Sequence, residues 1–369
     1  MSPQPTYADV LGVLTAFAPL HLQESYDNSG LLVGEPDTPV RGILFCLDVT
    51  EQVVDEAKEH GCNLIVSHHP PIFTALRALR GQDPTTRCVL AAIRHRIGLM
   101  AMHTNLDSAP RGVSYELGSR LGLIDLHPLK LAEANILKLV TFVPESHAET
   151  VREALFAACA GTMGEYNGCS FNTPGQGTFT PSAAAQPYVG KVLEPTRVDE
   201  IRIETIVPRH HLARAIAALR AAHPYEEPAY DIIPLANQDH RAGLGAIGRL
   251  PEPIPAVEFL QLVKRTLGTP CLRYCEGKSQ AIERVAVCGG SGSSLIAAAL
   301  SAGAEAYVTA DLKYHDFQPP QGQMLLIDAG HRETELLAVD LLYGVVERNF
   351  TTFALHRSSA DRHPVRYLL

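Results

Sequence analysis

Short uninterrupted apolar runs alternate along this chain with stretches in which apolar residues recur every three or four positions. GILFC (42–46) and LIV (64–66) read as buried strands, and EQVVDEAKEH between them reads as an amphipathic helix stopped at Gly61. The same plan returns 242 residues later: GILFCLDVTEQVVDEAKEHGCNLIVSHHP matches RVAVCGGSGSSLIAAALSAGAEAYVTADL, with Cys46 on Cys288, Gly61 on Gly303 and Ser67 on Thr309. Self-similarity of this kind predicts a βαβ unit used twice. Each copy offers one more strand, IGLMAMHTNLD and GQMLLIDAGH. Matching Gly98 with Gly322 sets Asp107 beside His331, and His69 falls on Asp311.

A second repeat, offset by 64, lies between the halves. KLVTFVPESHAETVREALFAACA matches RIETIVPRHHLARAIAALRAAHP, with Val143-Pro144 on Val207-Pro208 and His147 on His211. Two strand–loop–helix units predict a small ferredoxin-like α+β domain. The predicted organisation is therefore α/β: a duplicated domain formed by 1–128 and 242–369, interrupted by an inserted domain over 129–241. Its edges read as loops near Leu129 and in GLGAIGRLPEP (243–253), and NTPGQGTFTPSAAAQP (172–187) reads as an exposed loop.

Composition narrows the function classes. With 46% hydrophobic residues, 19% charged and no apolar stretch near the roughly 20 residues a membrane span requires, a membrane role is excluded. The start, MSPQPTYADV, lacks a signal-peptide pattern, and eight scattered cysteines form no C-x-x-C pair; both features predict a cytoplasmic protein. A formal charge of -9 without a Lys/Arg block disfavours nucleic acid as a partner.

The chemistry collects where strands end. His68 and His69 follow an apolar strand and precede Pro70-Pro71, a turn that lets both imidazoles face one cavity. Asp107 adds a short carboxylate suited to bridging two ions. His331 and Glu335 stand four apart at the start of a helix, on one face. Singly, an H-x-x-x-E or a His-His pair is usually a solvated or satisfied feature. Together these five residues form a nitrogen and oxygen donor set without thiolate, which suits Zn, Mn, Fe or Co, and a metal pair of this type supports hydrolysis. His103, Asp311 and His315 are candidates for orienting the ligands, and His103 also for a proton shuttle.

The ordered motifs ESYDNSGLLVGEP, VSHHPPIF, MHTNLDSAPRGV, VCGGSGSSL, VTADLKYHD and LIDAGHRETE resemble the GTP cyclohydrolase 1 type 2 homologue family, dinuclear-metal hexameric proteins. CSFNTPGQGTF and AHPYEEPAYDI are similar to the PII/CutA-like insertion of its longer bacterial members. The resemblance covers nearly the whole chain; Tyr26 stands where the family often has Trp. It implies two divalent metal ions per subunit held by His68, His69, Asp107, His331 and Glu335, a toroidal homohexamer with sites facing an internal cavity, and attack of hydroxide on C8 of GTP. Two rivals stand beside this hydrolase reading: a non-enzymatic, metal-responsive or ligand-sensing hexamer, and a phosphoesterase for short nucleic acids.

Three further stretches carry expectations. CGGSGSSL (288–295) reads either as a tight strand-to-helix turn or as a phosphate grip. AHPYEEPAYD (222–231) reads as inter-subunit packing or as a lid over the metal cavity. The tail from His356 reads as docking on a neighbouring subunit or fraying.

Overall fold

The structure, a computed structural model, describes residues 4–133 and 136–368. It divides into two compact units, Met1–Ala132 with Asp239–Leu369, and Glu133–Gln238. In chain order the first segment carries α1 (Tyr7–Phe17), β1 (Gly30–Val33), β2 (Gly42–Cys46), α2 (Glu51–Glu59), β3 (Leu64–Ser67), α3 (Pro84–His95), β4 (Gly98–Ala101), α4 (Thr104–Ser108), α5 (Val113–Arg120) and β5 (Ile124–Glu133). The inserted unit carries β6 (Ile136–Pro144), α6 (Ala148–Ala157), β7 (Ser170–Phe179), β8 (Thr196–Pro208), α7 (Leu212–Ala222) and β9 (Tyr230–Pro234). The last segment follows with β10 (Gln238–Pro255), α8 (Ala256–Leu267), β11 (Arg273–Cys275), β12 (Ala281–Ser291), α9 (Ile296–Ser301), β13 (Ala306–Ala310), β14 (Leu325–Asp328), α10 (His331–Glu335), α11 (Leu337–Asn349) and β15 (Ala354–Arg357).

The larger unit holds two sheets of related plan, β1-β4-β3-β2-β15 and β11-β14-β13-β12-β10-β5. In each, three consecutive parallel strands (β2, β3, β4 and β12, β13, β14) are flanked by an antiparallel edge, β1 or β11. Their side chains alternate between two cores, which is why these strands read as continuous apolar runs. Ile43 and Phe45 of β2 join Val285 and Val287 of β12 in a shared core with α1, α5 and α11. Leu44 and Cys46 turn the other way, onto α2 and α3, as Ala286 and Cys288 turn onto α9.

Pair register corrects the internal alignment. Leu64 pairs with Gly98 and Ala306 with Leu325, so residue 98 corresponds to 325, not to Gly322. The short helices α4 and α10 then coincide, setting Thr104 on His331 and Ser108 on Glu335. The sequence match was misled because α3, between β3 and β4, has a shorter counterpart in the second half, a 3-10 turn over Tyr314–Phe317.

The expected loops near Leu129 and over 243–253 are strands, β5 and β10, adjacent in the six-stranded sheet. Their glycines serve close approach rather than turning: a Cβ on Gly243 would lie 2.1 Å from the Lys130 carbonyl oxygen, and one on Gly248 2.7 Å from that of Ile124. Residues 172–179, also expected as loop, belong to β7, whose ten residues pair with β8; Pro174 is tolerated because β7 is an edge.

The inserted unit runs β-α-β-β-α-β with antiparallel order β7-β8-β6-β9, the split arrangement expected of a ferredoxin-like unit. Leu139, Val143, Ile203 and Val207 pack under Val151, Leu155, Ala215 and Leu219 of its two helices. The stretch after β15 packs back on the first segment: Glu56 accepts hydrogen bonds from Ser358, Ser359 and Ala360, and Asp361 accepts from the Leu47 amide and Arg332. No helix among the described residues is long and apolar enough to cross a membrane.

Candidate metal centre

β3 delivers the two histidines. Past its last residue the ladder continues, His68 N–H donating to the Cys46 carbonyl and His69 N–H to that of Leu47, before Pro70 ends it. His68 is fully buried, and its Nδ1 lies 2.8 Å from the Met102 carbonyl. A carbonyl only accepts, so Nδ1 carries a hydrogen and Nε2 faces the other way. That Nε2 lies 3.6 Å from Asp107 Oδ1 and 3.8 Å from Glu335 Oε1. Both His68 Nε2 and Asp107 Oδ1 are buried with no hydrogen-bond partner among the described residues. Buried polar atoms left this way are costly, and a cation between them removes the cost.

The other imidazoles follow the same rule. His69 Nδ1 meets Asp48 Oδ1 at 2.8 Å while its Nε2 meets Glu335 Oε2 at 2.9 Å. His331 Nδ1 meets Asp311 Oδ2 at 2.7 Å, and its Nε2 meets Glu335 Oε2 at 2.7 Å. His103 Nδ1 meets Asp27 Oδ1 at 2.8 Å. Each outward nitrogen is held by an acceptor, as metal-ligating histidines usually are. Asp311 does so from the left-handed region at φ 57°, a conformation Asp tolerates better than most residues.

Five residues singled out by sequence, His68, His69, Asp107, His331 and Glu335, thus meet in one place. Asp107 faces His68, whereas Glu335 is the carboxylate that reaches His68 with one oxygen and both His69 and His331 with the other. His103 sits close to the cluster: His68, His69 and His103 bring ligand atoms within 4.8 Å of one another, as do His69, His331 and Glu335, and His68, Asp107 and Glu335. Asp311 orients His331 as expected. His315 lies apart, exposed and edge-on to Tyr314 at 5.2 Å. Two orienting carboxylates, Asp48 and Asp27, were missed. Asp48 follows the end of β2 just as His69 follows that of β3, a position that would have flagged it.

Electrostatics agree with a site short of positive charge. Burial opposes protonation of His69, but Asp48 and Glu335 override it and lift its pKa to about 10. Glu335 and Asp311 likewise lift His331 to about 9 against burial. Burial pushes Asp107 up to about 6, aided by the neighbouring Glu335. Burial acts the same way on Glu335, yet hydrogen bonds from His331 and His69, with the His68 ring close by, hold it well below the usual carboxylate range.

The CGGSG turn makes room for this centre. A Cβ on Gly290, whose φ is +60°, would fall 1.9 Å from Glu335 Oε1, and one on Gly289 would strike Val113. The Gly290 amide donates to Thr334 Oγ1 and the Gly289 amide to Ser114 Oγ, so these two N–H groups serve the fold rather than a phosphate. A cavity of about 430 Å³ opens beside His69 and His331, bordered by Arg273, Arg332 and the tail residues His363 and Tyr367. Exposed Tyr26 and Phe73, 6.2 Å apart, stand on the His103 side, with Phe73 6.1 Å from that ring.

A duplicated α/β unit whose halves close on a buried histidine–carboxylate cluster defines a class of candidate metal-centre proteins. Residues 5–364 match the family described as Duf34/NIF3 (NGG1p interacting factor 3), and the chain belongs to it. Proteins of Halalkalibacterium halodurans and Mycobacterium tuberculosis, each named GTP cyclohydrolase 1 type 2 homolog, are both 39% identical to it. The first alignment covers 89% of each chain, the second 89% of this chain and 88% of the relative. The crystal structure of a Bacillus cereus protein related to NIF3 matches 100% of both chains at 36% identity and TM-score 0.79.

Proposed function

We propose that the chain is a divalent-metal-dependent hydrolase holding two ions per subunit and acting on a nucleotide, with GTP as the candidate substrate. The observation that carries this reading is the pair of buried, unpartnered atoms His68 Nε2 and Asp107 Oδ1, surrounded by imidazoles whose outward nitrogens are already tied. Such a donor set fits Zn, Mn, Fe or Co. When bound, these ions polarise substrate oxygens and supply hydroxide at neutral pH.

In this reading His68, His69, Asp107, His331 and Glu335 hold the ions, while Asp48, Asp311 and the Met102 carbonyl fix the imidazole directions. His103, anchored by Asp27, passes a proton between solvent and the substrate ring. Tyr26 and Phe73 offer a wall on which a planar base stacks. The printed name of the relatives supports GTP as the first substrate to try. The chain works as a cytoplasmic homohexamer, and its inserted unit is PII/CutA-like, a reading supported by the β-α-β-β-α-β order.

The deciding experiment is turnover of GTP by protein loaded in turn with Mn, Fe, Zn and Co, with formate and pterin products separated by chromatography beside Asp107→Ala. Metal-dependent product that disappears in the variant supports the cyclohydrolase; no product with any metal rejects it. A second reading, a ligand-sensing assembly without turnover, is favoured by a cavity inside the inserted unit.

A further inference from the structure

That cavity lies on the helix-free face of the inserted sheet. In β8, Ile203 and Val207 face α6 and α7, so Glu200 and Arg202 project from the other side, where Phe142 of β6 pairs with Arg202. The segment after β7 folds back over this face and Tyr188 comes 6.2 Å from Tyr225, which also lies 6.2 Å from Phe179. The backbone amide of Gln186 donates to Glu226 and fastens the cover. What results is a cavity of about 590 Å³, within the roughly 300–1,000 Å³ usual for small-molecule sites.

Its walls are aromatic and its floor is a carboxylate. Glu200 is 9% exposed, and Tyr225 O–H donates to its Oε1 at 2.7 Å. One such bond occupies a fraction of a carboxylate's four lone-pair sites. A Cβ on Gly177 would lie 2.1 Å from Glu200 Oε2, so glycine there is what lets the carboxylate lie flat against β7. Tyr225 is itself held from behind. His223 Nε2 lies 2.9 Å from the Phe142 carbonyl and its Nδ1 accepts from the Tyr225 amide, a pairing that needs the neutral imidazole that burial favours. Charge at the cavity is lopsided: Glu226 and Glu227 join Glu200 along the lining, while Arg202, the one Lys or Arg among the described lining residues, is paired with Glu204 at 3.0 Å.

We infer that this cavity binds a planar nitrogen heterocycle that presents adjacent N–H donors to Glu200, stacked between Phe142, Phe179, Tyr188 and Tyr225. A flat ring satisfies the aromatic walls, and a guanidine-like edge satisfies a carboxylate with two parallel hydrogen bonds. The acidic lining selects against phosphorylated or carboxylated ligands. The inference is independent of turnover at the metal cluster.

The test uses the full-length protein and 2-aminobenzimidazole, read by ligand fluorescence and calorimetry; the chain has no tryptophan to obscure the signal. One-site saturable binding is expected, weaker by about tenfold or more in Glu200→Gln, the worth of a hydrogen bond to a charged group. Benzimidazole, lacking the amino group, should bind as weakly to wild type as the amine does to Glu200→Gln. Tyr188→Ala, a change at a half-exposed wall, should weaken binding several-fold with the melting temperature kept, and His331→Ala should leave it unchanged. No saturable binding, equal binding by Glu200→Gln, or equal binding of benzimidazole overturns the inference.

Discussion

At the end of β3 the chain reads Ser67-His68-His69, and at the end of the equivalent β13 it reads Thr309-Ala310-Asp311. After β4 come His103, Thr104, Asp107 and Ser108; at the matching places after β14 stand Gly330, His331, Thr334 and Glu335. Wherever one half offers a cluster donor, the other carries a small residue or a hydrogen-bonding partner. Asp311 orients His331, Thr334 accepts from Gly290, and Thr104 donates to Asp27. A frame repeated almost strand for strand therefore builds one asymmetric centre rather than two equal ones. The first half contributes most of the nitrogen, and the second the carboxylate that reaches across it.

The sharpest way to break this division is Glu335→Gln. Metal affinity, measured by competition with a chromophoric chelator, should fall by more than about a hundredfold, beyond the tenfold to hundredfold typical of losing an orienting partner. Retained affinity would mean that the second half's carboxylate is dispensable. Gly290→Ala probes the room the second half leaves for that carboxylate: a methyl 1.9 Å from Glu335 Oε1 at φ +60° should cost roughly 2 kcal/mol, seen as a lower melting temperature of the metal-free protein. An unchanged melting curve would show that Glu335 moves freely.

Asp48→Ala and Asp311→Ala compare the orienting carboxylates of the two halves; each should lower metal affinity about tenfold. A loss confined to one variant would show that only one half needs its imidazole held. The smallest effect is one of pH. Imidazoles raised to about 10 at His69 and about 9 at His331 stabilise the metal-free protein fully below their ordinary value of 6.5, and this stability disappears as pH rises through those raised values. Metal-free protein should therefore lose on the order of 1 kcal/mol between about pH 6.5 and 10, a modest figure because His331 is partly exposed and screened. Metal-loaded protein should lose less. Equal slopes in denaturant titrations of the two forms would contradict the site.

Much of this could be read from sequence because parallel strands buried on both faces spell themselves as apolar runs, and the five donors stand just past the ends of such runs. What misled was chemistry read without geometry. His315 has the right side chain on the wrong turn, and nothing in the neighbourhood of His103 reveals that Asp27, 76 positions earlier, turns its ring toward the cluster. GLGAIGRLPEP looked like a loop because glycine signals both turning and close approach, and only the neighbouring Lys130 and Ile124 carbonyls distinguish the two. The AHPYEEPAYD segment was weighed as packing or lid; its Tyr225 and two glutamates line a cavity within their own unit.

The ion pair between His69 and Glu335 joins residues 266 positions apart, and β15 completes the first sheet by pairing with β2. During synthesis the first half and the whole inserted unit leave the ribosome before either partner exists. The inserted unit, with a core and sheet of its own, can fold in that interval, while β2 waits with an unpaired edge and the histidines wait without their carboxylate. A nascent chain interrupted before residue 335 thus lacks the residue that closes the centre, so the ability to hold metal in the finished geometry becomes a certificate that translation passed that residue.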